Sequence, residues 1–399
     1  MKSKSLSVLV LVIPFFVQFS FADNVLKKAD SLVALHKYNS AFSLLNEVVE
    51  TNDDRQIVLK KIDIALNYFV LSLNHVIFSF KDLEPGDDLM ELRGKEGIYN
   101  SYLFRIDSVL ARLISRFPQD GVLYRYLGDY FYDISMRYAG RWLFSDDSLA
   151  SLVLLNYAEA NRLHCENYES LHRLGVAYLQ RADFASAQPC FIEAIRLDPK
   201  QADPYYNLAY LYMQRNDYDK AIELGKKAFE LYEDTGLRSD AGRLIASCYT
   251  SRQDYQNALV YLERVDRFDP SNYYTYRMVL WAYLKLGEAD SAYVAARRLF
   301  GLHPTFPSNS QAVIEDYTNA GEAGKLVSVF RRILPDYCTN DTVAGNIYFH
   351  LATRFLNDSD SSQALVSLDS SEVRFRRCYP GNHQVFEVIQ SERELIKKK

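Results

Sequence analysis

The stretch YESLHRLGVAYLQRADFASAQPCFIEAIRLDPKQ, Tyr168 to Gln201, decides the fold. Its apolar residues recur three and four apart, first through Leu171, Leu174 and Tyr178, then through Phe184, Ala187, Phe191 and Ala194. That spacing is the signature of amphipathic helices with one buried stripe. The polar break Gln180-Arg181-Ala182-Asp183 separates the two runs. A connection that short makes the two helices antiparallel neighbours. Gly175 and Ala187 are small where the helices meet, and Tyr178, Phe184 and Phe191 fill the wedge between them. Asp198-Pro199 closes the unit, because proline lacks a backbone N–H and disfavours helix in the residue before it.

The same order returns 34 residues later, with Leu208-Ala209, Tyr212, Tyr218, Ala221 and Ala228. It returns again with Ile245-Ala246, Tyr249, Tyr255, Ala258, Leu262 and Pro270, and once more with Tyr276, Val279, Tyr283, Ala292, Ala296, Leu299 and Pro304. One helix pair cannot bury its faces alone, so such units stack on their neighbours. This pattern resembles the tetratricopeptide-repeat family most closely over residues 168–304. The resemblance implies an all-α, right-handed superhelical solenoid of antiparallel helix pairs. It extends with more drift to residues 23–56, 121–167, 307–340 and 345–380. The organisation expected is a leader over 1–22, an N-terminal helical region over 23–120, a repeat array over 121–380 and a tail over 381–399. The N-terminal region would hold one repeat-like unit and an irregular helical insertion. Within that insertion Gln56 to Phe80 reads as one long apolar helix, Asp82 to Gly97 as a loop, and Tyr99 to Phe117 as a further helix.

Lys2 and Lys4, the apolar run Leu6 to Phe19 and the small residues of Ser20-Phe21-Ala22 form a secretory leader, with cleavage expected after Ala22. An uncleaved anchor is the alternative. An exported chain of the periplasm or cell envelope follows, with no stable transmembrane insertion after cleavage. The formal charge is −5, and losing the leader's two lysines makes it more negative. That balance gives no support to nucleic-acid binding, which needs a basic stripe for phosphates. Cys165, Cys190, Cys248, Cys338 and Cys378 show no C-x-x-C, so no zinc or redox motif is present, and Cys338 with Cys378 is the pair to test for a disulfide. Asp358, Asp360, Ser362 and Asp369 loosely echo a calcium loop, but Gln363 stands where glycine is needed, so a turn explains them better.

No nucleophile elbow, phosphate loop, zincin or dinucleotide motif occurs, so no enzyme class, catalytic residue, metal or cofactor is expected. The resemblance implies instead that the first helix of each unit lines an inner face that binds a protein or peptide. The residues facing inward include Arg125, Asp129 and Tyr132; His172 and Gln180; Tyr206, Tyr210 and Met213; Arg243 and Ser247; and Arg277, Trp281 and Lys285. Of these, Tyr132, His172, Tyr206, Tyr210, Arg243, Arg277 and Trp281 form the expected partner site, since aromatics and arginine dominate binding hot spots. The lysine and asparagine set that grips a terminal carboxylate in some family members is not there. Two other readings stay open: an envelope glycan stacked on Trp281 and the tyrosines, and an enzyme using Asp129 with Asp133, which face the same way four residues apart.

Overall fold

A computed structural model describes residues 21–49 and 54–398. The expected leader therefore lies outside the described residues, apart from Phe21 and Ala22. The described residues divide into two compact units, with the boundary between Pro199 and Lys200.

The first unit opens with helix α1 over residues 21–34 and continues with α2 (Tyr38–Val49) and α3 (Arg55–Asn67). Three strands follow, β1 (Leu71–Leu73), β2 (Ile77–Phe80) and β3 (Asn100–Leu103), with the short α4 (Leu89–Leu92) between the last two. Then come α5 (Ile106–Arg116), α6 (Gly121–Arg137), α7 (Asp146–Arg162), α8 (Tyr168–Gln180) and α9 (Phe184–Leu197). The second unit runs through α10 (Asp203–Gln214), α11 (Tyr218–Leu231), α12 (Thr235–Ser251), α13 (Tyr255–Phe268), α14 (Tyr273–Leu286) and α15 (Ala289–Leu302). It ends with α16 (Pro307–Asn319), α17 (Leu326–Ile333), α18 (Asp341–Asn357), α19 (Ser361–Phe375) and α20 (Gln384–Lys398).

The fold is the expected all-α stack of antiparallel helix pairs: α6 on α7, α8 on α9, α10 on α11, α12 on α13, α14 on α15 and α18 on α19. The small positions do what the sequence suggests. A Cβ on Gly175 would lie 2.6 Å from the Phe191 ring, one on Gly128 2.6 Å from Tyr157, and one on Gly345 2.6 Å from Phe375. Each of these three glycines thus receives an aromatic ring of the second helix. Where alanine stands instead, as at Ala209 and Ala246, it is fully buried.

The turn inside the pairs from α8–α9 to α14–α15, in α18–α19 and between α16 and α17 is built one way. The N–H of Asp183 donates to the carbonyl of Tyr178 at 2.9 Å, and Asp217 to Tyr212, Asp254 to Tyr249, Glu288 to Tyr283, Glu322 to Tyr317 and Asp360 to Phe355 repeat that bond. The preceding residue is left-handed every time: Ala182, Asn216, Gln253, Gly287, Gly321 and Ser359. This is the Schellman closure, which satisfies carbonyls that the helix end leaves open. The acidic residue then caps the next helix where it is aspartate, as Asp183 does through the Ser186 N–H at 3.1 Å.

Two expectations fail in the first unit. Gln56 to Phe80 is not one helix: α3 stops at Asn67 and the chain turns into a β-hairpin. Asn74 and His75 at its tip both have positive φ, and the Val76 N–H donates back to Leu73 at 3.1 Å, the two-residue turn that suits strand twist. Tyr99 to Phe117 is likewise a strand followed by a helix, with β2 pairing antiparallel to β3 through Phe78↔Tyr102. The insertion is therefore not purely helical. Phe78 and Phe80 point from one face of the sheet into the core, where Phe80 stacks on Phe42 at 4.4 Å. The apolar run could serve either period, and the buried sheet face decided it. The expected tail is not a tail either. Helix α20 packs on α19 and buries Ile389 and Ile396.

Candidate functional site

Helix α6 carries the densest polar group of the first unit, because its inner stripe reads Arg125, Asp129, Tyr132 and Asp133 at three and four residue steps. A cavity of about 290 Å³ lies against it, reaching Asp63 and Asn67 of α3 and Arg173 of α8. Asp129 accepts from the Tyr157 hydroxyl at 2.7 Å and from Arg173 Nη1 at 2.5 Å. The Arg173 guanidinium also covers the Tyr132 ring at 4.7 Å. Burial pushes the Asp129 carboxyl above the ordinary carboxylate range in spite of Arg173, and pushes the Tyr157 phenol well up.

Asp133 turns to different partners. Arg137 donates to it at 2.9 Å, and His75 Nε2 lies 3.0 Å from Oδ2 without the alignment of a good hydrogen bond. Although burial opposes ionisation, those two neighbours hold the Asp133 carboxyl below its usual value. Asp129 and Asp133 do share a helix face, yet each is matched to its own cation. The sequence reading did not find Arg173, Tyr157 or His75, which lie 44, 28 and 58 positions away from the acids they serve.

In the second unit the inner residues of the first helices form a linked row. Arg243 of α12 donates to Asp240 at 2.5 Å, to Asp269 at 2.9 Å and to Thr275 of α14 at 3.3 Å. Arg277 of α14 donates to Glu315 at 3.0 Å and to Asp316 of α16 at 3.1 Å. Burial raises the Asp316 carboxyl's pKa even so. Each arginine ties one first helix to the next. Tyr206 sits beside this row: burial raises its phenol, and the Asp240 charge adds to the effect. Tyr210, Met213, Ser247 and Trp281 are partly exposed, and the Lys285 ammonium lies 5.4 Å from the Trp281 ring centre. His172 is placed differently, its ring parallel to Tyr168 at 6.0 Å and 6.1 Å from Phe191 of α9. The acids of the loose calcium echo are spent as turn groups. Asp360 caps α19, Asp358 pairs with Arg354, and Asp369 with Arg393.

The tetratricopeptide-repeat family model matches residues 172–236. BBSome complex member BBS4 from Bos taurus is 35% identical over 118 residues, which is 29% of this chain and 22% of that protein. Protein O-mannosyl-transferase TMTC3 from Homo sapiens is 20% identical over 271 residues, covering 61% of this chain and 28% of its own. The chain thus spans under a third of the length of either relative. Among solved structures, a tetratricopeptide repeat protein from Parabacteroides merdae aligns with a TM-score of 0.43 at 15% identity, over 69% of this chain and 98% of that one.

Proposed function

The chain is a tetratricopeptide-repeat protein, matched as such over residues 172–236, and we propose that it is a non-catalytic scaffold whose second unit binds a protein or peptide on the inner face of α10, α12 and α14. The observation that carries this reading is the row itself. Arg243 and Arg277 are fixed by carboxylates of the same unit, while Tyr206, Tyr210 and Trp281 beside them keep part of their surface in solvent. Rigid aromatics held by a satisfied polar frame lose little freedom when a partner arrives. The arginines then act as supports that set the spacing of the helices, and the aromatics as the contact. In the first unit the two carboxylates that could serve an enzyme are each paired with a cation, which supports the non-catalytic reading.

Export is part of the proposal. The leader pattern and its expected cleavage after Ala22 support a periplasmic or envelope-associated chain. Among the described residues no helix is long and apolar enough to cross a membrane. The intact mass of the exported protein should give Asp23 as its first residue, and a retained leader would overturn this part.

Partners captured by the chain from an envelope extract supply the binding assay. Trp281→Ala should weaken the captured partner by about 2 kcal/mol, roughly thirtyfold, with little change in melting temperature. A lower melting temperature with unchanged affinity returns Trp281 to a packing role and defeats the inner-face reading.

A further inference from the structure

A second surface of this unit lies on the other side of α14. Tyr276, Val279 and Tyr283 recur at three and four residue steps on one face of that helix, and Trp281 and Lys285 occupy the opposite one. The first set borders a cavity of about 340 Å³ where α13, α14 and α15 meet, a size at the lower end for ligand pockets. Its apolar lining comes from Leu262, Val279 and Val294, the last about half exposed. Two carboxylates, Glu263 and Asp266, line the same space.

The electrostatics of this cavity are incomplete. Arg298 reaches Asp266 Oδ2 only at 3.6 Å and remains largely in solvent. The other oxygen, Oδ1, is shielded from solvent and has no hydrogen-bond donor. A buried acceptor without a donor is uncommon, because it forfeits its hydration without replacement. Glu263 has no ion-pair partner among the described residues. The negative charge is felt nearby: the Tyr283 phenol is raised by burial first, then by Glu263 and Glu288, against the opposing pull of Arg298.

We propose that this cavity receives a basic side chain, lysine or arginine, from a protein partner. Its methylene stem would run over Leu262, Val279 and Val294, as long cationic side chains lay their stems on apolar surface. Its charged head would meet Glu263 and the exposed side of the Asp266 carboxylate, beside the Tyr283 ring, since aromatic faces attract cations. The opposite face of α14 plays no part in this, so the proposal stands or falls separately from the inner-face reading.

Methyl resonances of the full chain test it, with Nα-acetyl-lysine amide as the probe and Nα-acetyl-norleucine amide as the uncharged control. Lysine should shift the methyls of Leu262, Val279 and Val294 saturably, and norleucine should bind about tenfold more weakly or worse. Glu263→Gln and Asp266→Asn should each weaken the lysine probe by a similar factor, and Trp281→Ala should leave it unchanged. Equal binding of both probes, or no shift of these methyls up to the solubility limit of lysine, overturns the proposal. Should Asp266→Asn fail to fold, the exposed Glu263→Gln decides.

Discussion

The helix pairs from α10 to α15 and the sheet-containing segment from α3 to α5 solve the same burial problem by opposite means. In the helix pairs most decisive contacts join residues close in sequence: a small residue faces a large one across a four-residue turn, and the turn closes on its own tyrosine. In the sheet segment the decisive contacts are distant. Asp82 accepts from the Ser40 N–H 42 residues away at 3.0 Å, and Tyr102 donates to Asn39 63 residues away at 3.1 Å. Phe42 gathers Phe80, Tyr102 and Phe104 around it. Local repetition distributes stability over many equivalent joints, while the sheet segment concentrates it in one aromatic cluster.

That contrast is open to attack at its strongest point first. Phe80→Ala removes a fully buried ring from the cluster and should cost about 3–5 kcal/mol. Hydrogen exchange should show the loss across α2, α3 and the whole sheet. A loss confined to β2 would mean that the cluster is not the cooperative centre of this segment.

A smaller effect is expected in the helix pairs. Gly175→Leu forces atoms against Phe191, which already lies 2.6 Å from the site of a Cβ, and should cost about 1–3 kcal/mol. The damage should spread to the pair α6–α7 as well as α9, because stacked repeats share their interfaces. Protection unchanged outside α8 and α9 would show that the pairs are more independent than stacking implies.

Acidification gives a third test. His350 of α18 stacks on Phe330 at 5.5 Å and its Nε2 lies 3.0 Å from the Ser310 hydroxyl. Burial lowers its pKa from 6.5 to about 4. The unfolded chain therefore binds a proton at pH values where the folded chain does not. The stability this residue contributes is present above pH 6.5, declines as pH falls below it, and stops declining near pH 4. His350→Gln should flatten the slope of melting temperature against pH in that window, and an unchanged slope would assign it to other groups.

The repeats were legible because each is written in its own 34 residues, with Gly175, Ala209 and Ala246 marking the same joint. The sheet was hidden by a run from Ile64 to Phe80 that is apolar at both periods. Asn74-His75 held the missing signal, since asparagine and histidine tolerate left-handed backbone better than most residues and the pair divides the run into two strand-length pieces. That Tyr206, Tyr210 and Trp281 keep part of their surface in solvent could be read from helical phase. The partners that occupy Arg243 and Arg277 could not, because Asp269 and Asp316 come from different helices and only the stack brings them within reach.

The turns inside the pairs offer an engineering route to a hardier protein. All six share one backbone, yet only Gly287 and Gly321 adopt its left-handed residue without a steric penalty. Ala182, Asn216, Gln253 and Ser359 occupy the same conformation with a Cβ attached, at a cost of order 1 kcal/mol each, less for asparagine. Replacing these four by glycine would retune the thermal tolerance of the chain in steps. Each lies at least one full repeat from the next, so the gains should add.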